Sequence, residues 1–361
     1  MMLPDYRAQR ARFLQAAERA GAQLSHWLHP LTGPQGEALY TDVALLGNPA
    51  AEKMMLIVSG VHGVEGYYGS DNQIAWLEAS QGQEMPSDCA LLLVHLINPW
   101  GTAHLRRVNE NNIDLNRNFI DFARPLPTTP AYPPVHGFYC GDRAAADTAY
   151  AAALQTQGWP AMKAVVEAGQ YTHPDGIFFG GDAASWSRLT LAAITETHLQ
   201  QAKTLISFDL HTGAGAYGHP MLLAIAERPW PALPQARNLF GEWLTVLLTG
   251  ADRDSETGVT ATATGYLSQF MHDSLPDCTL MQLVIECGTL PGEEMHRRVR
   301  DDHWLHLTGD PASEEGKRIK QALVAGFYPE DADWRAVTQL RTQQIFRRAW
   351  QYLTGGARQQ G

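Results

Sequence analysis

The sequence predicts an α/β fold in a single domain, with a mixed, mostly parallel twisted sheet flanked by helices. Four short apolar runs are typical of buried strands, and helical patterns lie between them. Strands that alternate with helices favour largely parallel pairing. The length of 361 residues allows two domains, but α/β folds often run this long as one.

The N-terminal elements follow from hydrophobic spacing. Apolar residues at roughly helical intervals predict an amphipathic helix over residues 5–27, and a Gly-Pro segment then breaks it. Residues 38–46 predict a strand, and the apolar run 54–59 predicts a buried one. A helix over 68–80 and a second buried strand over 90–97 come next, and Asn98-Pro99 ends that strand.

The second half of the chain repeats this alternation. Prolines make residues 125–134 a loop, and Pro160 interrupts an Ala-rich helical stretch over 144–168. Buried strands are predicted over 204–210 and 279–285. The remaining predicted helices cover residues 185–201, 233–248, 314–328 and 331–353.

Charge and composition exclude several classes of protein. The net charge is −11 and no Lys/Arg block is present, which argues against a nucleic-acid groove and against docking on an anionic membrane. No signal peptide or transmembrane span is predicted. The four cysteines form no C-x-x-C pair, so a cysteine zinc site is not expected, and this low count fits a reducing cytoplasm. The oligomeric state is not predicted.

His62 and Glu65 lie three residues apart in a glycine-rich turn after the strand 54–59. One turn of backbone can aim both side chains at one point. Imidazole and carboxylate are good zinc ligands, and a catalytic zinc site needs one further protein ligand. The alternative is a surface turn that holds the two residues by chance, because short motifs often match without function.

Two later strand ends offer a third ligand and a base. His211 follows strand 204–210 beside a glycine turn, although a structural histidine is the alternative. Glu286 ends strand 279–285, where burial would raise its pKa and suit it to proton transfer; pairing with a nearby arginine is the alternative. In open α/β sheets, functional sites form at this edge. His95 lies inside its strand and is interpreted as a core residue.

The stretch 106–119, with the sequence RRVNENNIDLNRNF, is a polar loop after a buried strand. Arginine gives planar, bidentate contacts to carboxylates, so this loop is a candidate for binding an anionic group. A solvated loop with two structural ion pairs is the alternative.

Taken in order, these motifs resemble the zinc carboxypeptidase superfamily. The resemblance covers roughly residues 50–290, and its most specific part is the run from Arg107 to Phe119. It extends in particular to a bacterial branch close to the succinylglutamate desuccinylase and aspartoacylase deacylases, since the turn around His62 looks more like that branch.

The resemblance implies a role for each matched residue. His62, Glu65 and His211 would bind one Zn²⁺, and Asp114 would orient the first histidine. Arg107 would stabilise the oxyanion, while Glu286 would act as general base and then general acid. The residues expected to hold the substrate are Asn116, Arg117 and, as a capping tyrosine, Tyr266.

The resemblance implies a carboxypeptidase-type zinc hydrolase that acts on a small peptide. An N-acyl amino acid deacylase with the same zinc site is the first alternative, and a closed acyl pocket rather than an open cleft would distinguish it. A non-catalytic zinc- or peptide-binding module is the second. One catalytic domain is expected over residues 1–361, with a motif-bearing core at about 50–290 and a helical C-terminal part at about 313–353.

Overall fold

The computed structural model describes residues 3–226, 229–248 and 263–355. The strands found there are β1 (Gln23–Thr32), β2 (Ala38–Gly47), β3 (Lys53–Ser59), β4 (Cys89–His95), β5 (Thr204–Thr212), β6 (Pro220–Ala226), β7 (Leu244–Leu248) and β8 (Thr279–Cys287). The helices are α1 (Tyr6–Arg19), α2 (Gly66–Ala79), α3 (Pro99–Ala103), α4 (Leu115–Asn118), α5 (Arg143–Gln157), α6 (Trp159–Val166), α7 (Trp186–His198), α8 (Leu233–Phe240), α9 (Leu267–Ser274), α10 (Gly292–Leu307), α11 (Glu314–Phe327) and α12 (Ala332–Leu353).

All eight strands belong to one sheet, in the order β1-β2-β4-β3-β5-β8-β6-β7. The central pairings β4-β3, β3-β5 and β5-β8 are parallel, as is β6-β7 at one edge. The pairings β1-β2, β2-β4 and β6-β8 are antiparallel. The predicted mixed, mostly parallel α/β sheet is therefore confirmed.

The central strands are buried on both faces. In β3, Met55 and Ile57 pack into an apolar cluster with residues of α1, α2 and α12. Met54, Leu56 and Val58 pack on the opposite face with residues of α7 and α9. This two-sided burial explains why the parallel strands read as continuous apolar runs rather than as alternating patterns. None of the described helices has both the length and the apolar character needed to cross a bilayer.

Two predicted helices were too long, and in each case a glycine ends the helix. Gly21 has φ +75° and follows α1, and the Ala22 amide donates to the Ala17 carbonyl, which closes a Schellman-type end. The chain then forms the edge strand β1 instead of continuing as a helix to residue 27. Gly241 has φ +59° and ends α8, and Leu244–Leu248 then form the strand β7.

Other predictions hold with small shifts. Pro160 lies in the first turn of α6, where its missing N–H costs nothing, and Gly158 separates α5 from α6. His95 is fully buried, stacks on Phe13 at 3.9 Å between ring centroids, and lies 2.8 Å from the Ser70 hydroxyl. Strand β6 and helices α9 and α10 were not predicted.

Helix α2 approaches the sheet closely at Gly69. A Cβ atom at this position would lie 2.6 Å from Ser59 Cβ, closer than real Cβ contacts allow. The contact lets α2 lie directly against the end of β3, and the turn that carries His62 and Glu65 joins these two elements.

We expect Gly69→Ala to destabilise the protein by about 1–3 kcal/mol, because the added methyl overpacks a fixed contact. In an open helix the same change stabilises by roughly 0.5–1 kcal/mol. Urea unfolding measures the difference. The matched control is Gly137→Ala, since nothing lies within 4 Å of a Cβ there. Equal stability of both variants would contradict the packing argument.

Candidate metal centre

Three neighbouring parallel strands bring the predicted residues together at one edge of the sheet. His62 comes shortly after β3, His211 lies near the end of β5, and Glu286 lies near the end of β8. Because β5 pairs with both neighbours, and His211 is the register partner of Glu286, all three side chains reach one cleft.

The turn that carries Glu65 is fixed by the loop beside it. Residues Gly63–Glu65 form a 3₁₀ turn, and a Cβ at Gly63 would lie 2.1 Å from the carbonyl carbon of Gly101. The Gly63 and Val64 amides donate to the carbonyls of Arg107 and Arg106, respectively. The histidine turn and the arginine loop therefore form one backbone unit.

Three donor atoms converge on one point. Nδ1 of His62 lies 3.0 Å from Oε1 of Glu65, and Nδ1 of His211 lies 3.0 Å from Oε2 of the same carboxylate. The two Nδ1 atoms are 3.2 Å apart. All three side chains are buried.

The outer nitrogen of each histidine faces a carboxylate. Nε2 of His62 lies 3.1 Å from Oδ1 of Asp114, and Nε2 of His211 lies 2.7 Å from Oδ2 of Asp209. A carboxylate in this place fixes the proton on Nε2 and leaves the Nδ1 lone pair free for a metal.

This donor set fits a zinc ion. With both Nε2 atoms protonated, two lone pairs and the Glu65 carboxylate face one another in a buried space, which is unfavourable unless a cation lies between them. Ligands of a tetrahedral zinc at about 2.0–2.2 Å are roughly 3.3–3.6 Å apart, close to the spacing found here. His62, Glu65 and His211 are thus a group that could hold one metal ion.

Asp209 is a residue that the sequence analysis missed. It lies two residues before His211 on β5, and residues i and i+2 of a strand share a face. The spacing Asp-x-His before a strand end was the available signal.

The buried charged groups of the site strongly shift one another's pKa values. Burial disfavours the charged forms, but Asp209 and Glu65 outweigh it and raise the pKa of His211 well above its ordinary value. In the same way, burial is outweighed by His62 and His211, which lower the pKa of Glu65. Arg107 and His62 hold the pKa of Asp114 well below its usual range against the effect of burial.

Glu286 faces the same cleft but has a different environment. Its Oε1 accepts a hydrogen bond from the Ala214 amide at 3.0 Å, and no Lys or Arg of the described chain lies within ion-pair distance. Burial, and then the negative charge of Glu65, raise the pKa of Glu286 to about 8. The alternative of a carboxylate neutralised by an adjacent arginine does not apply among the described residues.

The two arginines of the polar loop have different partners. Nε of Arg107 donates to Asp114 at 3.0 Å, and its NH1 group donates to Glu65 at 3.2 Å. Arg117 donates instead to the backbone carbonyls of Asn116 and Glu167. Its Nε is buried with no hydrogen-bond partner in the described chain, and it forms no ion pair there.

Asn116 and Tyr266 also line the cleft. Nδ2 of Asn116 lies 3.3 Å from Nε2 of His211, and its Oδ1 accepts from the Leu267 amide. The Tyr266 ring lies 5.3 Å from the Arg117 guanidinium. Every residue predicted for the site therefore lies in or against one cleft.

Comparisons with known proteins place the chain in a family. The family described as "Protein of unknown function (DUF2817)" matches residues 3–340. The chain belongs to the DUF2817 family. No curated protein matches it significantly by sequence.

Solved structures with similar folds include carboxypeptidase A from Helicoverpa armigera, at 12% identity and a TM-score of 0.46, covering 90% of this chain and 74% of that one. Bovine thrombin-activatable fibrinolysis inhibitor matches at 11% identity and 0.46, covering 99% of each chain. An aspartoacylase family protein from Mesorhizobium loti MAFF303099 matches at 14% and 0.38, covering 79% of this chain and 67% of that one.

Phe178 is a second cleft residue of this DUF2817 member that the sequence analysis missed. Its ring centre lies 5.2 Å from the Arg107 guanidinium and 5.7 Å from that of Arg117. Its φ of +52° is unusual for a bulky residue. The ring therefore separates two positive charges and attracts both.

We expect Asp209→Asn to weaken zinc binding about 10–100-fold, because the second partner of a metal-bound histidine fixes its tautomer. A competition titration with a chromophoric chelator measures the affinity. The control is Ser207→Ala, which removes a buried hydroxyl on the same face of β5. Unchanged affinity in Asp209→Asn would contradict the role of Asp209.

Proposed function

We propose that this protein is a zinc-dependent hydrolase that cleaves an amide bond next to a free carboxylate, as a carboxypeptidase-type enzyme. The observation that supports it most is the convergence of two histidine lone pairs and one carboxylate at 3.0–3.2 Å, beside a separate carboxylate of raised pKa. Such a group suits metal-assisted hydrolysis, in which a base must accept a proton near neutral pH.

His62, Glu65 and His211 would hold the zinc, which when bound lowers the pKa of a water molecule and polarises a carbonyl group. Glu286 takes the proton of the attacking water and later gives it to the leaving amine. The Ala214 amide holds the Glu286 carboxylate in place for both transfers.

Arg107 would stabilise negative charge on the scissile oxygen. A guanidinium has five N–H donors, and Asp114 and Glu65 each take one from Arg107. The remaining donors can meet developing charge, and the two carboxylates fix the side chain in advance, which is the basis of electrostatic preorganisation.

Arg117 is the candidate for the substrate carboxylate. Its guanidinium lines the cleft without a carboxylate partner in the described chain, and Phe178 and Tyr266 lie over it. A buried guanidinium pairs well with a planar carboxylate. Tyr266 would close over the bound end, and Asn116 would add an amide contact.

The size of the cleft favours short substrates. The described residues line a cleft of about 150 Å³. A dipeptide or an N-acyl amino acid suits this space, so a deacylase with the same zinc site is the second candidate. Turnover of dipeptides against N-acyl amino acids of equal length distinguishes the two.

We expect Glu286→Gln to lower kcat about 10²–10⁴-fold while zinc is retained, because the variant keeps the shape but loses the base. Turnover and metal content are measured on the same preparation. The control is the exposed Glu315→Gln, far from the cleft. Near-normal turnover in Glu286→Gln with zinc bound would contradict the assignment, and no turnover in the unmodified protein would favour a non-catalytic binding module.

We also expect kcat/KM to be higher for a substrate with a free carboxylate than for its C-terminal amide, by a ratio that corresponds to about 3–5 kcal/mol. The reason is that the amide leaves the buried Arg117 unpaired. Arg117→Ala should remove most of this difference. Arg124→Ala, which changes an exposed arginine, should preserve it. Equal turnover of acid and amide by the unmodified protein would point to an endo-acting or ester-type hydrolase.

A further inference from the structure

A second group of metal-binding side chains lies outside the cleft, in the segment between α4 and α7. His136 belongs to the 3₁₀ helix Pro133–Phe138, and Cys140 follows it four residues later. Asp175 lies in the loop after α6. One donor atom from each of the three can be chosen so that all lie within 4.8 Å of one another.

The contacts within this group are close. Sγ of Cys140 lies 3.9 Å from Nδ1 of His136, whereas Oδ1 of Asp175 lies 3.6 Å from Nε2, the other nitrogen of the same ring. The ring of His173 packs beside the His136 ring, 4.2 Å away between centroids.

The backbone around Asp175 is held while its side chain is free to move. The Asp175 carbonyl accepts from the Cys140 thiol at 3.0 Å and faces Nε2 of the buried His303 at 2.9 Å. The Asp175 side chain is 58% exposed. A tetrahedral zinc needs its ligands roughly 3.3–3.8 Å apart, so a shared ion requires that this exposed carboxylate turn toward the Nδ1 side of the ring, where Cys140 lies.

We propose that His136, Cys140 and Asp175 bind a second zinc ion, independent of the proposed catalytic centre. Thiolate and imidazole are ligands that zinc prefers over the harder cations, and the carboxylate completes a mixed set. The site differs chemically from the first because it includes sulfur.

A metal here would join two ends of the segment that walls the cleft. His136 and Cys140 precede α5, whereas Asp175 follows α6, and Phe178 comes three residues later. A metal that closes this loop lowers the conformational entropy of the unfolded chain. It also restricts the motion of the residues next to the metal.

The test is a titration of the metal-free, full-length protein with Co²⁺, followed by absorption spectroscopy. A thiolate bound to Co²⁺ gives an intense sulfur-to-metal charge-transfer band in the near ultraviolet, which nitrogen and oxygen ligands alone do not give. The cleft group has no sulfur ligand, so this band reports the second site even if the proposed hydrolase activity fails. We expect the band in the unmodified protein, with two Co²⁺ bound per chain, and displacement of both by Zn²⁺.

Variants assign the band to the group. Cys140→Ser and His136→Gln should each abolish it and reduce the stoichiometry from two ions to one, whereas Cys278→Ser should leave both unchanged. Absence of the band from the unmodified protein would overturn the proposal, and that measurement does not depend on any variant folding. Persistence of the band in Cys140→Ser would overturn it as well.

Discussion

The site depends on three electron-pair donors that face one buried point. The Nδ1 atoms of His62 and His211 and the Glu65 carboxylate lie 3.0–3.2 Å apart, while Asp114 and Asp209 hold the outer ring nitrogens. Such an arrangement repels itself unless a cation or added protons occupy it. The raised pKa of His211 shows the same demand for positive charge. A divalent metal meets that demand and leaves the imidazoles neutral.

The surrounding fold holds this unfavourable arrangement in place. Burying ions is costly unless each has partners, and removal of one partner is more costly still. The arginine loop is accordingly fixed by helices from the C-terminal part of the chain. Lys320 of α11 donates to the carbonyls of His104 and Leu105 and to Asp302 of α10, which also binds Arg106. These helices thus hold the backbone just before Arg107, and residues of both also line the cleft.

The residues on central strands were predictable because their chemistry interrupts apolar runs. His211 and Glu286 stand out at strand ends, and the topology that joins them follows from parallel pairing. Asp209 was missed because it lies inside a run that reads as core, and only the partner on His211 reveals its role. Phe178 carried no pattern at all, since its contacts with two arginines come from a left-handed backbone conformation in an irregular segment. The first part of the edge strand β1, up to Trp27, and the whole of the edge strand β7 were predicted as helix, because the helix-ending role of Gly21 and Gly241 was not recognised.

The cleft is built from two parts with different physical origins. The metal ligands and Glu286 lie at or just after the carboxyl ends of the central strands β3, β5 and β8. These strands are buried on both faces, which gives the side chains a rigid support. The opposite wall, with Phe178 and α6, packs around its own apolar cluster, which includes Tyr132, Tyr139 and Val166. This cluster is distinct from the clusters that cover the two faces of the sheet, although Val299 packs against both it and the first of them. Under the proposed function, a change in this wall is therefore expected to alter which substrate binds before it alters bond cleavage.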